Sequence, residues 1–171
     1  IEIQNKTKLF RSNMTVIDLG CAPGSWSQQI RQYIHPDGHL IGCDCLAMSP
    51  LAGCTFLQGD FTQSEVVAAI LAAANGPIDC VVSDMAPNFS GHRQTDQLKA
   101  MGLVESAYAF AFEHLKVGGH FVVKIFMGAG VEALIHQARQ DFITVKTFKP
   151  KASRAESNEL YLLALHRRGA R

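Results

Sequence analysis

Short apolar runs alternate with helical patterns from one end of the chain to the other. Seven runs read as strands: residues 15–19, 40–44, 55–57, 80–84, 121–125, 143–148 and 160–165. They are short and rich in Val, Ile and Phe, the signature of strands buried on both faces. Between them, Trp26, Ile30 and Tyr33 recur at helical spacing after Gly24. Thr62-Gln63-Ser64-Glu65 reads as a capping box, and Val66, Val67, Ile70 and Leu71 follow it as an apolar stripe. Met101, Val104, Tyr108, Ala111 and Leu115 predict a longer helix stopped by Gly118-Gly119, with Tyr108, Phe110 and Phe112 in the core. Val131, Leu134, Ile135 and Ala138 predict another. Such alternation implies an α/β fold, a seven-stranded and mostly parallel sheet flanked by helices. The last two runs are joined through Lys149-Pro150-Lys151-Ala152-Ser153-Arg154 without a helical pattern, so the last strand is expected to run antiparallel.

Composition narrows this picture only a little. The chain has 171 residues, 47% of them hydrophobic and 18% charged, enough for one continuous core, and residues 1–171 read as a single domain. A net charge of +1 neither demands nor excludes nucleic acid, because a basic face can be balanced by acids elsewhere. No stretch approaches the roughly 18 apolar residues that span a bilayer. The chain begins at Ile1 without an initiator Met, so an N-terminal segment is expected to be missing. Cys21, Cys43, Cys45, Cys54 and Cys80 are odd in number, and no second Cys/His pair completes a tetrahedral site. Buried free thiols in a reducing compartment, without metal, are the expectation. That compartment is the cytoplasm, or the mitochondrial matrix if a targeting segment was removed.

The ionisable residues fall in a pattern of their own. Asp18 ends the first strand run, Asp44 the second and Asp84 the fourth; Asp60 lies just beyond the third, and Lys124 near the end of the fifth. Open parallel sheets bind ligands outside the carboxyl ends of their strands. The first turn, Asp18-Leu19-Gly20-Cys21-Ala22-Pro23-Gly24-Ser25-Trp26, has glycines that let backbone pass close to a ligand and a helix start that presents N–H groups. It is not the G-x-G-x-x-G of a dinucleotide site, which disfavours a nicotinamide oxidoreductase. Asp18 suits an ammonium, and Asp44, 20 residues after Gly24, stands at the interval where an acid meets a ribose diol. Asp60, beside Phe61, is placed to accept from an adenine amino group. Together these describe S-adenosylmethionine.

At this point the chain resembles the FtsJ/RrmJ ribose 2′-O-methyltransferases, in their bacterial ribosomal branch. The likeness rests on Asp18-Leu19-Gly20-Cys21-Ala22-Pro23-Gly24-Ser25-Trp26-Ser27-Gln28, Phe56-Leu57-Gln58-Gly59-Asp60-Phe61, Ser83-Asp84-Met85-Ala86-Pro87-Asn88 and Val122-Val123-Lys124-Ile125-Phe126. A fifth block is Lys149-Pro150 with Ser153-Arg154, Ser157 and Glu159-Leu160-Tyr161. The resemblance implies a Rossmann-like class I methyltransferase domain that binds S-adenosylmethionine through Asp18, Gly20, Pro23, Gly24, Ser25, Trp26, Asp44, Asp60, Phe61 and Asp84. It further implies catalysis by a Lys-Asp-Lys-Glu tetrad in which Asp84, Lys124 and Glu159 are the last three members. Lys124 then serves as base or as oxyanion stabiliser. The family's first tetrad lysine falls, in register, just upstream of Ile1. Ser49 departs from the acid usual in bacterial members, and Ser25 replaces a glycine.

Lys149, Lys151 and Arg154 flank the connection to Glu159 and are candidates to hold an RNA backbone. The implied substrate is a uridine ribose of large-subunit, 23S-type ribosomal RNA or of the assembled large subunit, met by a monomer. Two alternatives stay open: a methyltransferase of transfer RNA, and a non-catalytic RNA-binding protein that keeps the cofactor fold.

Overall fold

The computed structural model describes residues 2–22, 24–151 and 158–169. The expected α/β class is found: a seven-stranded, mostly parallel sheet in the order β3-β2-β1-β4-β5-β7-β6. Its elements fall into two compact units, Ile1–Asp84 and Met85–Arg171.

The first unit contains α1 (Glu2–Thr7), β1 (Thr15–Leu19), α2 (Ser25–Ile34), β2 (His39–Asp44), β3 (Cys54–Gln58), α3 (Ser64–Ala74) and β4 (Ile78–Ser83). Strand β1 is buried along its whole length and runs parallel to β2 on one side and β4 on the other. Strand β3 lies parallel to β2 and is only partly covered, so burial on both faces, expected for every strand, fails at this edge. Helix α2 buries Ser27, Ile30 and Ile34, not the predicted stripe of Trp26, Ile30 and Tyr33. Tyr33 instead sits at the margin and stacks on Phe10, ring centroids 6.4 Å apart. The capping box does not form. Gln63 occupies the N-cap of α3 without a side-chain bond, because Thr62 gives both its N–H and its hydroxyl to Asp60.

The second unit contains α4 (Arg93–His114), β5 (Leu115–Phe126), α5 (Val131–Asp141), β6 (Phe142–Phe148) and β7 (Glu159–Arg167). Helix α4 begins a full two turns before Met101 and ends at His114; β5 starts directly and runs through the glycines that were expected to stop the helix. Strand β7 is antiparallel to both β5 and β6, as expected for the last strand. Phe110 is buried, but Phe112 is 42% exposed beneath the Arg167 guanidinium, so the core assignment fails there. Arg167 also donates through Nε to the Phe112 carbonyl, which explains why that ring is covered by a cation and not by the core.

Tyr108 packs edge-on against Phe121 and Phe142, and its hydroxyl donates to Asp141 at 2.5 Å. A hydrogen bond to a charged acceptor contributes about 1.5–3 kcal/mol. Tyr108→Phe keeps the ring packing and removes only that bond, so chemical denaturation should show a loss near the lower end of that range. An unchanged midpoint would mean the bond is replaced by water at no cost.

Candidate functional site

In the first unit the site starts from strand register. Asp18 pairs with Gly42 of β2 and with Val82 of β4. Asp44 lies two residues after Gly42 and Asp84 two after Val82, so all three carboxylates share one face at the carboxyl ends of the strands. This is where β1 has β2 on one side and β4 on the other, the place where strand order reverses. Asp84 is half-buried and lies one residue beyond the end of β4, not within it as predicted.

Asp18 is 1% exposed and accepts the Ser27 hydroxyl at 2.7 Å. Burial pushes its carboxyl up to about 7; the Ser27 bond opposes this, while repulsion from Asp84 and Asp44 adds to it. A cation brought to this face would relieve that repulsion.

The turn after β1 is held by main-chain bonds. Gly20 and Cys21 both donate N–H to the Cys43 carbonyl, at 2.7 and 3.2 Å. Asp44 accepts from Ala22 N–H and from Leu46 N–H, each at 2.9 Å, and so ties the first turn to the end of β2. Each carboxylate oxygen retains lone-pair capacity for a further donor. A side chain at Gly42 would place its Cβ 2.8 Å from Cys21 Sγ, which fixes how closely turn and strand approach. Gly24 has φ +109°, a conformation L residues rarely adopt, and forms the N-cap of α2 without any side-chain cap. The first turn of α2 also carries no acid, so none of its own side chains offsets the positive end of the helix dipole with a charge.

The remaining cofactor candidates are less uniform. Ser25 is exposed at the first position of α2, and Trp26 is half-buried, lining a small crevice with Ile3, Gln4, Phe10 and Tyr33. Asp60 is exposed, and the two bonds from Thr62 hold its carboxyl below the usual range. Phe61 beside it is buried. Pro23 lies outside the described residues. The Ser83 hydroxyl, next to Asp84, is buried without a hydrogen-bond partner among the described residues.

In the second unit Lys124 pairs with Tyr161 and Phe126 with Glu159. Pairing and alternation put Lys124, Phe126, Glu159 and Tyr161 on one face of the β5–β7 ladder. The Lys124 ammonium lies 5.8 Å from the Phe126 ring centroid. Met127 N–H donates to the Asn158 carbonyl at 2.9 Å and Asn158 Nδ2 returns a bond to the Met127 carbonyl at 3.2 Å, which pins the start of β7 where Glu159 enters. Lys149 donates to the Glu159 carbonyl at 2.9 Å, so this predicted RNA contact is anchored beside the predicted carboxylate. Lys151 is exposed, and Arg154 lies outside the described residues.

Ser27, Ser83 and Asn158 were missed in the sequence. Ser27 left a signal, a small hydroxyl in helical register with Ile30 and Ile34 on an otherwise apolar face. Ser83 and Asn158 left none. Of the cysteines, Cys21, Cys43 and Cys80 are buried as expected, Cys54 is half-buried, and Cys45 is exposed, contrary to expectation. Burial pushes the Cys43 thiol up to about 11. Among the described residues no group of three or more His, Cys, Asp or Glu is arranged to hold a metal ion.

Asp18 gives a pH test. Its folded value of about 7 lies above the ordinary 3.8, so the folded state holds a proton that the unfolded state has lost. Its contribution is full below about pH 4 and disappears as pH rises towards 7. Asp18→Asn should therefore flatten the decline in stability of the ligand-free protein over that window, measured by urea midpoints. A slope equal to that of the unaltered protein would contradict the burial cost.

Comparison with known proteins gives the family. Residues 1–167 match the model of the FtsJ-like methyltransferase family. The ribosomal RNA large subunit methyltransferase E of Francisella tularensis subsp. novicida is 47% identical over 170 residues, covering 99% of this chain and 82% of that protein. Its namesake from Methylobacillus flagellatus is 47% identical over 171 residues, covering 99% and 83%. A crystal structure described as a ribosomal RNA methyltransferase of Plasmodium falciparum superposes with a TM-score of 0.86 at 27% identity, covering 99% of this chain and 94% of that one. MycE methyltransferase of the mycinamycin biosynthetic pathway, solved with Mg and SAH, shares the fold alone, at 19% identity and a TM-score of 0.57 over 97% of this chain and 46% of that one. With the family match running through every strand and helix, the chain belongs to the FtsJ-like methyltransferases.

Proposed function

We propose that the protein transfers a methyl group from S-adenosylmethionine to a ribose 2′-hydroxyl, that of a uridine in large-subunit ribosomal RNA. The observation that carries the cofactor half is the face shared by Asp18, Asp44 and Asp84 below an uncapped helix start. Charges of both signs fit there. Asp18 and Asp84 favour an ammonium or sulfonium, and the N–H groups of α2 favour a carboxylate. Asp44 would take the ribose hydroxyls and Asp60 the adenine amino group, with Gly20, Pro23, Gly24, Ser25, Trp26 and Phe61 forming the remaining cradle. The unpartnered Ser83 hydroxyl offers one more polar contact. The cofactor supplies, when bound, a methyl carbon activated by its sulfonium.

The chain's own task is alignment and proton management. An in-line displacement needs the 2′-oxygen held against the methyl carbon, and the hydroxyl is a weak nucleophile until its proton leaves. Lys124 takes that proton or stabilises the oxyanion. Glu159, on the same ladder face as Lys124, and Asp84, by its place in the family motif, orient it. Lys149, Lys151 and Arg154 hold the RNA backbone near Glu159, and affinity should fall steeply with salt. Relatives named for large-subunit ribosomal RNA support that substrate. No helix among the described residues is long and apolar enough to cross a membrane, and cytoplasmic action of a monomer, as one domain over 1–171, belongs to the same proposal.

Two experiments test the reading. Lys124→Ala in the intact protein should lower methylation of unmodified large subunits by roughly a hundredfold or more, as expected for a positioned proton-transfer group. S-adenosylmethionine affinity by calorimetry should stay as it was; normal methylation by the variant would remove Lys124 from the chemistry. Methylation of transfer RNA in preference, or RNA binding without methylation, would favour the alternatives. Separately, a cation arriving at Asp18 lowers its pKa, so S-adenosylmethionine binding near pH 6 should release a proton that Asp18→Asn does not release. Calorimetry in buffers of different ionisation enthalpy reads this directly, and identical proton counts for the two proteins would move the ammonium elsewhere.

A further inference from the structure

Phe89 lies in the loop before α4 and is 57% exposed, yet its ring rests against a second one. Its ring meets Phe126 edge-on, with centroids 5.3 Å apart and planes at 82°. Phe126 is the residue whose ring also faces the Lys124 ammonium. One buried ring therefore links the exposed ring to the proposed catalytic amine.

The loop is pinned immediately after Phe89. The Asp96 carboxylate, 8% exposed, accepts Ser90 N–H at 2.8 Å, the Ser90 hydroxyl at 2.7 Å and Gly91 N–H at 3.1 Å. The end of β5 is fastened in the same way, by Gln97 Nε2 donating to the carbonyls of Phe126 and Ala129 at 2.9 and 3.1 Å. A large ring kept in water on such a fixed mount pays no ordering cost when something flat settles on it. The surroundings select the occupant. Lys124 and Lys149 stand in this neighbourhood together with Glu159, and an open aromatic face beside lysines is how unpaired bases are held on proteins.

We infer that Phe89 is a stacking platform for an unpaired base of the RNA substrate, and that this stack sets the target ribose against Lys124. The inference rests on the methyl-transfer reading of Lys124 given above. Asp96 and Phe126 are then positioning residues that hold the platform.

The test uses intact protein with large ribosomal subunits from cells lacking this methylation. Phe89→Leu should lower kcat/KM for the subunits by roughly ten- to a hundredfold, the range for loss of one base–aromatic stack. Phe89→Tyr should restore it, while the Tm and S-adenosylmethionine affinity of both variants match those of the unaltered protein. Phe89→Leu with unaltered kcat/KM, or Phe89→Tyr as impaired as Phe89→Leu, overturns the inference. A second arm does not depend on catalysis. Phe89→Trp, with the emission of Trp26 subtracted, should be quenched by single-stranded oligouridine, and absence of quenching overturns the platform. Quenching without methylation of subunits by the unaltered protein would instead sink the function proposed above and leave the platform standing.

Discussion

A carboxylate placed almost wholly out of water at the end of a central strand is costly unless its surroundings are built for it, and the first unit is arranged around that cost at Asp18. Ser27 is drawn into the buried face of α2 to give it one hydrogen bond. That requirement explains why the inward stripe of α2 runs through a serine and leaves Trp26 and Tyr33 at the margins. It also ties α2 to β1, and hence fixes where the helix N-terminus points. The nearby carboxylates make the cost larger, not smaller. That repulsion is what a cation brought to this face would relieve.

The second unit solves a different problem, that of holding a lysine and a carboxylate in fixed relation without burying them fully. Here register replaces local capping. Because β7 is antiparallel to β5, Glu159 and Tyr161 are locked opposite Phe126 and Lys124, and a slip of one residue would send both to the other face. The Met127–Asn158 exchange of hydrogen bonds guards against that slip at the open end of the ladder. The same strand reversal brings Lys149, from the end of β6, onto the Glu159 carbonyl.

What could be read in the sequence follows from these two designs. The strands were legible because burial on both faces leaves few polar residues in them, and β1 is the extreme case. The positions of Asp18, Asp44 and Lys124 were legible because strand ends are marked by the return of polarity. Helix boundaries were not. The start of α4 carries Arg93, Asp96 and Lys99 with no apolar stripe to announce it, and its end is set by Leu115 adopting an extended backbone, although Gly118 and Gly119 offered the stronger stop signal. Thr62 was misread for a related reason. A threonine two residues after an aspartate can serve either the helix or the acid, and Asp60 won both of its donors.

Partners across strands or across loops were the least legible of all. Nothing local marks Asn158 as the partner of Met127, or Asp96 as the clamp on Ser90 and Gly91, because those pairings exist only once the chain has turned back on itself. This has a consequence for how chemistry is divided along the chain. Groups expected to meet the cofactor are carried on strand ends and one glycine turn, features that short sequence blocks describe well. Groups expected to meet the RNA are carried on loops whose geometry depends on distant clamps, so a single exposed ring such as Phe89 gains meaning only from Phe126 and Asp96 behind it. Two chains could share every cofactor block and still present different surfaces to RNA, through changes at a handful of loop residues that no motif records.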